Sequence, residues 1–184
     1  MNKKVLLLAG WGGSDFPHWQ SWLAGELAKN YGKVSFLRFS NFELPDKGTW
    51  RDELIQEIDD FKPDIVICHS IANILWFHIC NELSTSYNSI DVEPIEKLYL
   101  VVPPSLSCDI PELSSFYPCQ IPTNLYAKES ILITSSNDPY MTQDEANQLQ
   151  KNLNIPMKIL QNAGHINADS GFGEWEWILK DINS

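Results

Sequence analysis

Short runs of consecutive apolar residues recur along the chain, separated by stretches with the period of a helix. The runs predict six strands, at residues 5–9, 34–39, 65–68, 98–102, 131–134 and 157–160. Apolar and polar residues do not alternate within these runs, which is typical of strands that are covered on both faces of a parallel sheet.

The stretches between the strands predict helices. Residues 18–32 predict the first helix, and Gly32 is expected to end it. Residues 49–61 predict the second, with Thr49 as a candidate N-cap. Residues 71–83 are apolar almost all round, which favours a helix at the centre of the fold. The last two helices are predicted at residues 142–153 and 173–182.

This alternation of strands and helices is typical of βαβ units. It predicts an α/β fold of about six mostly parallel strands with helices on both faces. The length of 184 residues predicts a single domain over residues 1–184. Residues 103–125 depart from the pattern, since they contain five prolines and no long period. Such a connection is more often functional than structureless, and we expect it near the carboxyl ends of the strands, where open α/β sheets bind ligands.

The charge balance argues against a nucleic-acid partner. The formal net charge is −11, and the 13 Lys and Arg residues are scattered, whereas nucleic-acid binding depends on clustered basic residues. The apolar run that follows Lys3 and Lys4 is too short for a signal peptide, and no segment approaches the roughly 18 apolar residues that span a bilayer. We therefore expect a cytoplasmic protein that binds no membrane. The four cysteines form no C-x-x-C pair, so neither a disulfide framework nor a zinc site is expected: Cys68, Cys80, Cys108 and Cys119.

Ser70 stands between a predicted buried strand and a predicted helix. A sharp strand-to-helix turn that exposes a serine hydroxyl usually reads G-x-S-x-G. Here Cys68 and Ala72 take the places of the two glycines, and both are small. Ser70 could equally be the N-cap of the helix that follows, so its sequence position leaves both interpretations open.

A nucleophilic serine needs a base and an acid that orients the base. Of the four histidines, His165 is the best candidate, because it lies in a Gly-rich polar loop after the last predicted strand. His69 is adjacent to Ser70, His78 lies on a packed helix face, and His18 lies beside an aromatic pair.

Asp138 is the candidate acid, because it directly follows the apolar run at residues 131–134. The tripeptide Asn-Asp-Pro is also a common turn sequence, which is the structural alternative. The order Ser70, Asp138, His165 is that of the α/β-hydrolase fold. Three competing carboxylates are less well placed in the sequence: Asp109, Asp144 and Asp169.

Acyl transfer also needs hydrogen-bond donors for the developing oxyanion. The backbone N–H of Ile71 is one candidate, and the glycine-rich loop after the first strand supplies Trp11 as a second and Gly12 as a third. That loop has neither the Lys-Ser/Thr of a P-loop nor the G-x-G-x-x-G of a dinucleotide site. An apolar substrate site is predicted from six side chains: Trp11, Trp76, Leu106, Leu113, Phe116 and Tyr117.

Four stretches resemble a known family: AGWGGSDFPHWQSWL, CHSIAN, SSNDPY and GHINADSGFGEW. They resemble the small, capless α/β-hydrolase family of bacterial serine hydrolases that includes retinoblastoma-binding protein nine, over nearly the whole chain. The resemblance implies a parallel sheet shorter than that of the full hydrolase fold, no cap domain, and a triad of Ser70, Asp138 and His165. It also implies no metal and no organic cofactor. Such proteins usually carry G-H-S-x-G at the turn, where this chain has C-H-S-I-A.

The sequence thus predicts a serine hydrolase of the carboxylesterase type that cleaves small-molecule esters through an acyl-enzyme on Ser70. The alternative is a catalytically idle protein of the same fold that serves as a binding module, and the two replaced glycines motivate it. Cys68 as the nucleophile is disfavoured, because a thiol at the end of a buried strand has no evident route to a low pKa. The sequence identifies no protein partner.

Overall fold

The continuously apolar runs form one six-stranded sheet in the computed structural model, which describes residues 3–29, 32–85 and 93–184. All neighbouring strands are parallel, in the order β2-β1-β3-β4-β5-β6. The predicted α/β fold is confirmed. The strands are β1 (Lys4–Leu8), β2 (Lys33–Leu37), β3 (Ile65–His69), β4 (Ile95–Val101), β5 (Ala127–Ser135) and β6 (Met157–Leu160).

Helices cover both faces of the sheet. Alternate strand residues point to opposite faces, so Leu6 and Leu8 pack with α2, α3 and α4, whereas Val5 and Leu7 pack with α1 and α5. Residues 30 and 31 of the first predicted helix lie outside the described residues. The described part of the chain contains α1 (Trp19–Lys29), α2 (Lys47–Phe61), α3 (Ile71–Thr85), α4 (Gln143–Leu153) and α5 (Glu176–Ile182), with short 3-10 helices at Pro111–Phe116 and Ala168–Ser170.

The start of α2 differs from the prediction. Asp46, not Thr49, is the N-cap, because the Asp46 carboxylate accepts a hydrogen bond of 2.8 Å from the backbone N–H of Thr49. The helix therefore begins two residues before Thr49. Asp is as good an N-cap as Thr or better, and here it stands upstream of the predicted boundary.

The strand order creates a crevice at the carboxyl ends of the central strands β1 and β3. From β1 the chain crosses to β2 on one side, and β3 then lies on the other side of β1. In open parallel sheets, ligands bind at the carboxyl ends of the strands where the strand order reverses in this way. The loop after β1 and the turn after β3, which contains Ser70, meet at this point. Among residues 3–29, 32–85 and 93–184, none of the helices has the length and apolar character needed to cross a bilayer.

The helix caps can be tested by two matched substitutions. Thr142 caps α4 and forms a reciprocal capping box with Glu145. We expect Thr142→Ala to lower the free energy of unfolding by about 1 kcal/mol, whereas Thr49→Ala should lower it by less than half as much, because Asp46 remains. Urea denaturation of both variants checks this, and equal losses would contradict the assignment of Asp46 as the cap.

Candidate active site

Ser70 occupies a sharp turn between β3 and α3. Its φ of 55° lies in the left-handed region, which costs an L-residue about 1–2 kcal/mol. Hydrogen bonds hold the turn: the Ser70 N–H donates to the Val101 carbonyl at 3.0 Å. The Asn73 side chain donates to the Ser70 and Val101 carbonyls at 2.7 and 2.9 Å. The turn keeps this geometry without glycines, since Cys68 and Ala72 are both small and fully buried.

The glycine that this turn requires lies on another strand. A Cβ atom added to Gly10, just beyond β1, would lie 2.8 Å from the Ser70 Cβ and 3.1 Å from the His69 carbonyl. Real Cβ atoms essentially never approach another atom as closely as 2.8 Å, and 3.1 Å is unusually tight, so any side chain at position 10 would displace the turn. The sequence analysis did not single out this role of Gly10, because the contact depends on β1 pairing with β3.

The side chains of Ser70, His165 and Asp138 form one hydrogen-bonded chain. Ser70 Oγ lies 2.8 Å from His165 Nε2. His165 Nδ1 lies 3.0 Å and 3.1 Å from the two oxygens of Asp138. The imidazole and the carboxylate are 8% and 3% exposed. The Tyr140 N–H donates to Asp138 Oδ1 at 2.9 Å, and the Tyr140 ring packs edge-on against the imidazole at 4.6 Å.

The backbone at His165 and at the residue after it is anchored in the core. The His165 carbonyl accepts a hydrogen bond of 3.2 Å from His69 Nε2. The next carbonyl, that of Ile166, accepts one of 2.8 Å from the buried indole of Trp19. A Cβ at Gly164 would lie 2.7 Å from the Ser170 Cβ, so this loop also depends on a glycine.

Two β-branched residues beside the site have left-handed backbone conformations. Val102, directly after β4, has a φ of 40°, and Ile166 has a φ of 46°. Such values are genuine outliers for branched side chains. Each residue is essentially fully buried, so the surrounding packing holds the strained backbone in place. Strain of this kind concentrates at functional sites.

Two of the three backbone N–H groups predicted as oxyanion donors are not engaged elsewhere among the described residues. Ile71 is the first residue of α3, and the N–H of Trp11 lies in the loop after β1; neither N–H donates a hydrogen bond within the described ranges. The Gly12 N–H donates to the Phe42 carbonyl at 3.1 Å. The prediction of Gly12 as an oxyanion donor is therefore corrected, because its N–H is already engaged. The Trp11 indole donates to the Glu43 carbonyl at 3.0 Å, which fixes this loop.

Two cavities flank Ser70 and His165. The first, about 330 Å³ in volume, lies between the loops after β1 and β6 and is named the polar cavity. The second, about 280 Å³, lies toward the loops after β4 and β5 and is named the apolar cavity. Trp11, Asn167 and Asp169 line both. The polar cavity is also lined by Ser14, Asp15, Phe16, His18 and His69, and the apolar cavity by Pro104, Ile110, Leu113 and Tyr140.

These positions correct most of the predicted substrate contacts. Trp11 and Leu113 line the cavities, but Trp76 is buried in the core, where its indole donates to the Leu125 carbonyl at 3.1 Å. Phe116 is fully buried and packs edge-on against Trp50 at 5.5 Å. The two remaining side chains pack against the same core and line neither cavity: Leu106 and Tyr117. Apolar character identified these residues, but it does not distinguish core from cavity.

Sequence reasoning also missed several residues that line the cavities. Tyr140 and Asn167 belong to the stretches SSNDPY and GHINADSGFGEW but were not singled out, and Asp169 was considered only as a competing acid. The competing acids Asp109 and Asp144 are exposed on the surface.

Burial decides the charge of the other titratable groups at the site. Burial, and next the proximity of His165, lowers the pKa of His18 to about 4. Burial likewise holds the pKa of His69 well below its usual range, with His18 and His165 adding to the effect. Burial raises the pKa of the Cys68 thiol well above its usual value, which opposes thiolate formation. Over the described parts of the chain, no group of three or more His, Cys, Asp and Glu residues is arranged to hold a metal ion.

The parallel sheet, the sharp serine turn and the absence of a cap domain in the described structure define an α/β-hydrolase-like protein. A model of the serine hydrolase family matches residues 5–184, so the chain belongs to the serine hydrolase family. The predictions of a serine hydrolase and of a small capless α/β-hydrolase family are thereby confirmed. No curated protein matches the chain in sequence.

Solved structures share the fold. The ydeN gene product of B. subtilis is 18% identical, with a TM-score of 0.81, over 99% of this chain and 97% of that one. A protein described as a YdeN-like hydrolase from Pectobacterium atrosepticum is 23% identical, with a TM-score of 0.71, over 98% and 89%. Est1E from Butyrivibrio proteoclasticus is 12% identical, with a TM-score of 0.63, over 100% and 89%.

The contact between Gly10 and Ser70 can be tested with one chemical change at two positions. We expect Gly10→Ala to lower kcat/KM for p-nitrophenyl acetate about a hundredfold, because a displacement of about 1 Å at a reacting group has this effect. Gly25 lies in α1 with no atom within 4 Å of an added Cβ. Gly25→Ala should leave activity unchanged and raise the free energy of unfolding by about 0.5–1 kcal/mol. Full activity of Gly10→Ala would contradict the close contact.

The lowered pKa of His18 predicts a loss of stability in acid. Unfolded His has a pKa near 6.5, and His18 in the fold has one of about 4, so the unfolded state binds the proton first as the pH falls. Stability is therefore present above about pH 6.5 and declines toward pH 4, by on the order of 3 kcal/mol for this group. His18→Gln should show a correspondingly shallower decline in urea denaturation than wild type. Between pH 7 and 8.5 the two proteins should differ by a constant amount, and parallel curves down to pH 4 would contradict the assignment.

Proposed function

We propose that this serine hydrolase cleaves small carboxylic esters through an acyl-enzyme on Ser70. The observation that carries the proposal is the chain of contacts from Ser70 Oγ to His165 Nε2, at 2.8 Å, and from His165 Nδ1 to Asp138, at 3.0 Å. The three residues come from separate connections at one edge of the sheet. This arrangement can activate a hydroxyl that is otherwise a weak nucleophile.

In the proposed mechanism, Ser70 Oγ attacks the ester carbonyl while His165 Nε2 takes its proton. Asp138 accepts from Nδ1–H and stabilises the imidazolium. The N–H groups of Ile71 and Trp11 donate to the tetrahedral oxyanion. His165 then protonates the leaving alcohol as the C–O bond breaks. In the second half, His165 takes a proton from water, which attacks the acyl carbon, and the proton returns to Ser70 as the acid leaves.

The surroundings of Asp138 support its role as the orienting acid. Its side chain is 3% exposed, and the hydrogen bond from the Tyr140 N–H fixes one carboxylate oxygen. A carboxylate held in this way keeps the imidazole in the tautomer that places its proton on Nδ1 and leaves Nε2 free to accept from serine.

Small esters are favoured by the size of the site. The two cavities at Ser70 measure about 330 and 280 Å³, at the low end for ligand pockets in proteins. One neighbour in fold, Est1E, has been determined with ferulic acid bound, so methyl ferulate belongs in a substrate panel beside short aliphatic esters. The location in the cytoplasm and the organisation as one domain stay predictions.

Two observations weigh against the competing interpretations. An idle binding module would be expected to have a relaxed turn with Ser70 as a buried cap, but Ser70 has a φ of 55° and contacts His165. Cys68 as the nucleophile is opposed by its complete burial and raised pKa.

The nucleophile can be tested by labelling. A fluorophosphonate probe should modify Ser70, and Ser70→Ala should abolish both labelling and hydrolysis of p-nitrophenyl acetate. Ser84 lies on the same helix, where its hydroxyl donates to the Cys80 carbonyl, so Ser84→Ala is the matched control and should retain both. Labelling of Ser70→Ala at another residue, or none in wild type, would refute the proposal.

The acid can be tested by a second matched pair. Asp138→Asn should lower kcat by on the order of a thousandfold or more, because the amide favours the wrong imidazole tautomer. Asp144→Asn changes an exposed carboxylate in the first turn of α4 and should leave kcat within about twofold of wild type. Steady-state kinetics at pH 7.5 compare the two, and similar kcat values would rule out Asp138 as the orienting acid.

A further inference from the structure

Three consecutive side chains after β5 accept hydrogen bonds from three consecutive backbone N–H groups in the loop after β6. The acceptors are the side chains of residues 135–137, and the donors are the N–H groups of residues 162–164. Asp138 directly follows the acceptors along the chain, and His165 directly follows the donors. The bonds run from Ala163 N–H to Ser135 Oγ at 3.0 Å, from Asn162 N–H to Ser136 Oγ at 2.9 Å and from Gly164 N–H to Asn137 Oδ1 at 2.8 Å.

These bonds begin where the backbone pairing of β5 and β6 ends. Ser135 is paired with Leu160 in the parallel register, and the Ser136 N–H donates to the Leu160 carbonyl at 2.9 Å. Beyond this point Asn162 and Gly164 have φ values of 54° and 55°, a left-handed conformation that ends the extended backbone of a strand. The ladder therefore stops, and side-chain oxygens satisfy the N–H groups that follow it.

The Ser135 hydroxyl joins the bonds into one network. It accepts from the Ala163 N–H and donates to Asn137 Oδ1 at 2.9 Å, so Asn137 Oδ1 accepts from both Ser135 and Gly164. Ser135 and Ala163 are 3% and 4% exposed. Removal of this hydroxyl would leave a buried N–H without its partner, whereas the bond between Asn137 and Gly164 is exposed, so water can replace it.

The other anchors of the loop hold it to a different part of the fold. His69, on β3, and Trp19, on α1, donate to backbone carbonyls of the loop, which fixes it relative to the serine turn and the core. Residues 135–137 instead belong to the same connection as Asp138. They therefore join the backbone that carries the base to the backbone that carries the acid, and the contact of 3.0 Å between His165 Nδ1 and Asp138 depends on how these two segments lie.

We propose that Ser135 and Asn137 are positioning residues that set the distance between the Asp138 carboxylate and the His165 imidazole. The inference rests on the proposed function, because it concerns the acid and the base of that mechanism. Neither residue is among the described residues that line the two cavities, so each acts through the acid–base pair and not by contact with the substrate. His165 works in both half-reactions, so its displacement lowers kcat and leaves KM nearly unchanged.

Substitutions of the two side chains test the proposal with p-nitrophenyl acetate. We expect Ser135→Ala to lower kcat by about tenfold or more, because a displacement of about 1 Å can cost a hundredfold. Asn137→Ala should lower kcat severalfold, and Asn137→Asp, which keeps the acceptor oxygen, should restore most of the loss. KM should stay within about twofold of wild type in all three variants.

Asn124→Ala is the matched control, since it makes the same change to the same kind of bond. Asn124 Oδ1 accepts from the Tyr126 N–H at 2.8 Å, but it precedes β5, at the amino end of a sheet whose carboxyl end bears the site. Its kcat should remain within about twofold of wild type. Urea denaturation measures the stability of each variant, and if Ser135→Ala does not fold, the two Asn137 variants carry the test.

A spectroscopic measurement reports the contact itself. The Nδ1–H of His165, when hydrogen-bonded to Asp138, gives a proton NMR resonance far downfield, which is assigned by its loss in Asp138→Asn. We expect this resonance to shift or broaden in Ser135→Ala and Asn137→Ala, and to be unchanged in Asn137→Asp and Asn124→Ala. A general loss of stability would leave the resonance in place in the folded protein.

The outcomes separate this inference from the proposed function. Wild-type kcat in both alanine variants, equal losses in Asn137→Ala and Asn137→Asp, or a loss of kcat with an unchanged resonance would each overturn the positioning role, while fluorophosphonate labelling of Ser70 stands. If wild type is labelled but does not turn over the ester, the rate of labelling replaces kcat. Absence of labelling at Ser70 would instead overturn the proposed nucleophile.

Discussion

The close contact between Gly10 and Ser70 is the constraint on which the rest of the site depends. β1 and β3 are neighbours in the sheet, so the residues that follow them meet, and the chain can place a sharp turn there only where one partner has no side chain. With glycine at position 10, the loop after β1 packs directly against the turn that contains Ser70. The usual glycines of the turn are then dispensable, because the tightest approach comes from a different strand.

Core side chains hold the loop that carries His165 in place. The indole of Trp19, on the first turn of α1, reaches from the core to the carbonyl of Ile166, and His69 reaches to the carbonyl of His165. Burial keeps His69 neutral, and its Nε2–H is the donor in this contact. The loop after β6, which lines both cavities, is thus held in position by side chains of the core. Substrate choice then depends on which atoms the walls of these cavities present.

The sequence predicted the six strands, the parallel sheet and the three residues of the hydrogen-bonded chain, because continuous apolar runs and strand-end positions are local signals. Other features needed distances between elements. The backbone N–H groups of Gly12 and Trp11 were both candidate oxyanion donors by sequence. Only the structure distinguishes them, because the Gly12 N–H donates to the Phe42 carbonyl. Trp76 and Phe116 were expected at the site on their aromatic character, but both face the core. Thr49 is a residue type that often caps helices, but Asp46, three residues upstream, is the N-cap in the structure.

The left-handed backbones of Val102 and Ile166 restrict how this protein can change. At either position glycine would relieve the torsional strain, yet each side chain is completely enclosed by the core, so its removal would open a void. Relief of one defect creates the other. Substitution at Val102 or Ile166 is therefore tolerated only when a second substitution restores the packing. Because such paired changes are rarer than single ones, the surroundings of Ser70 should diversify more slowly in evolution than the outer helices.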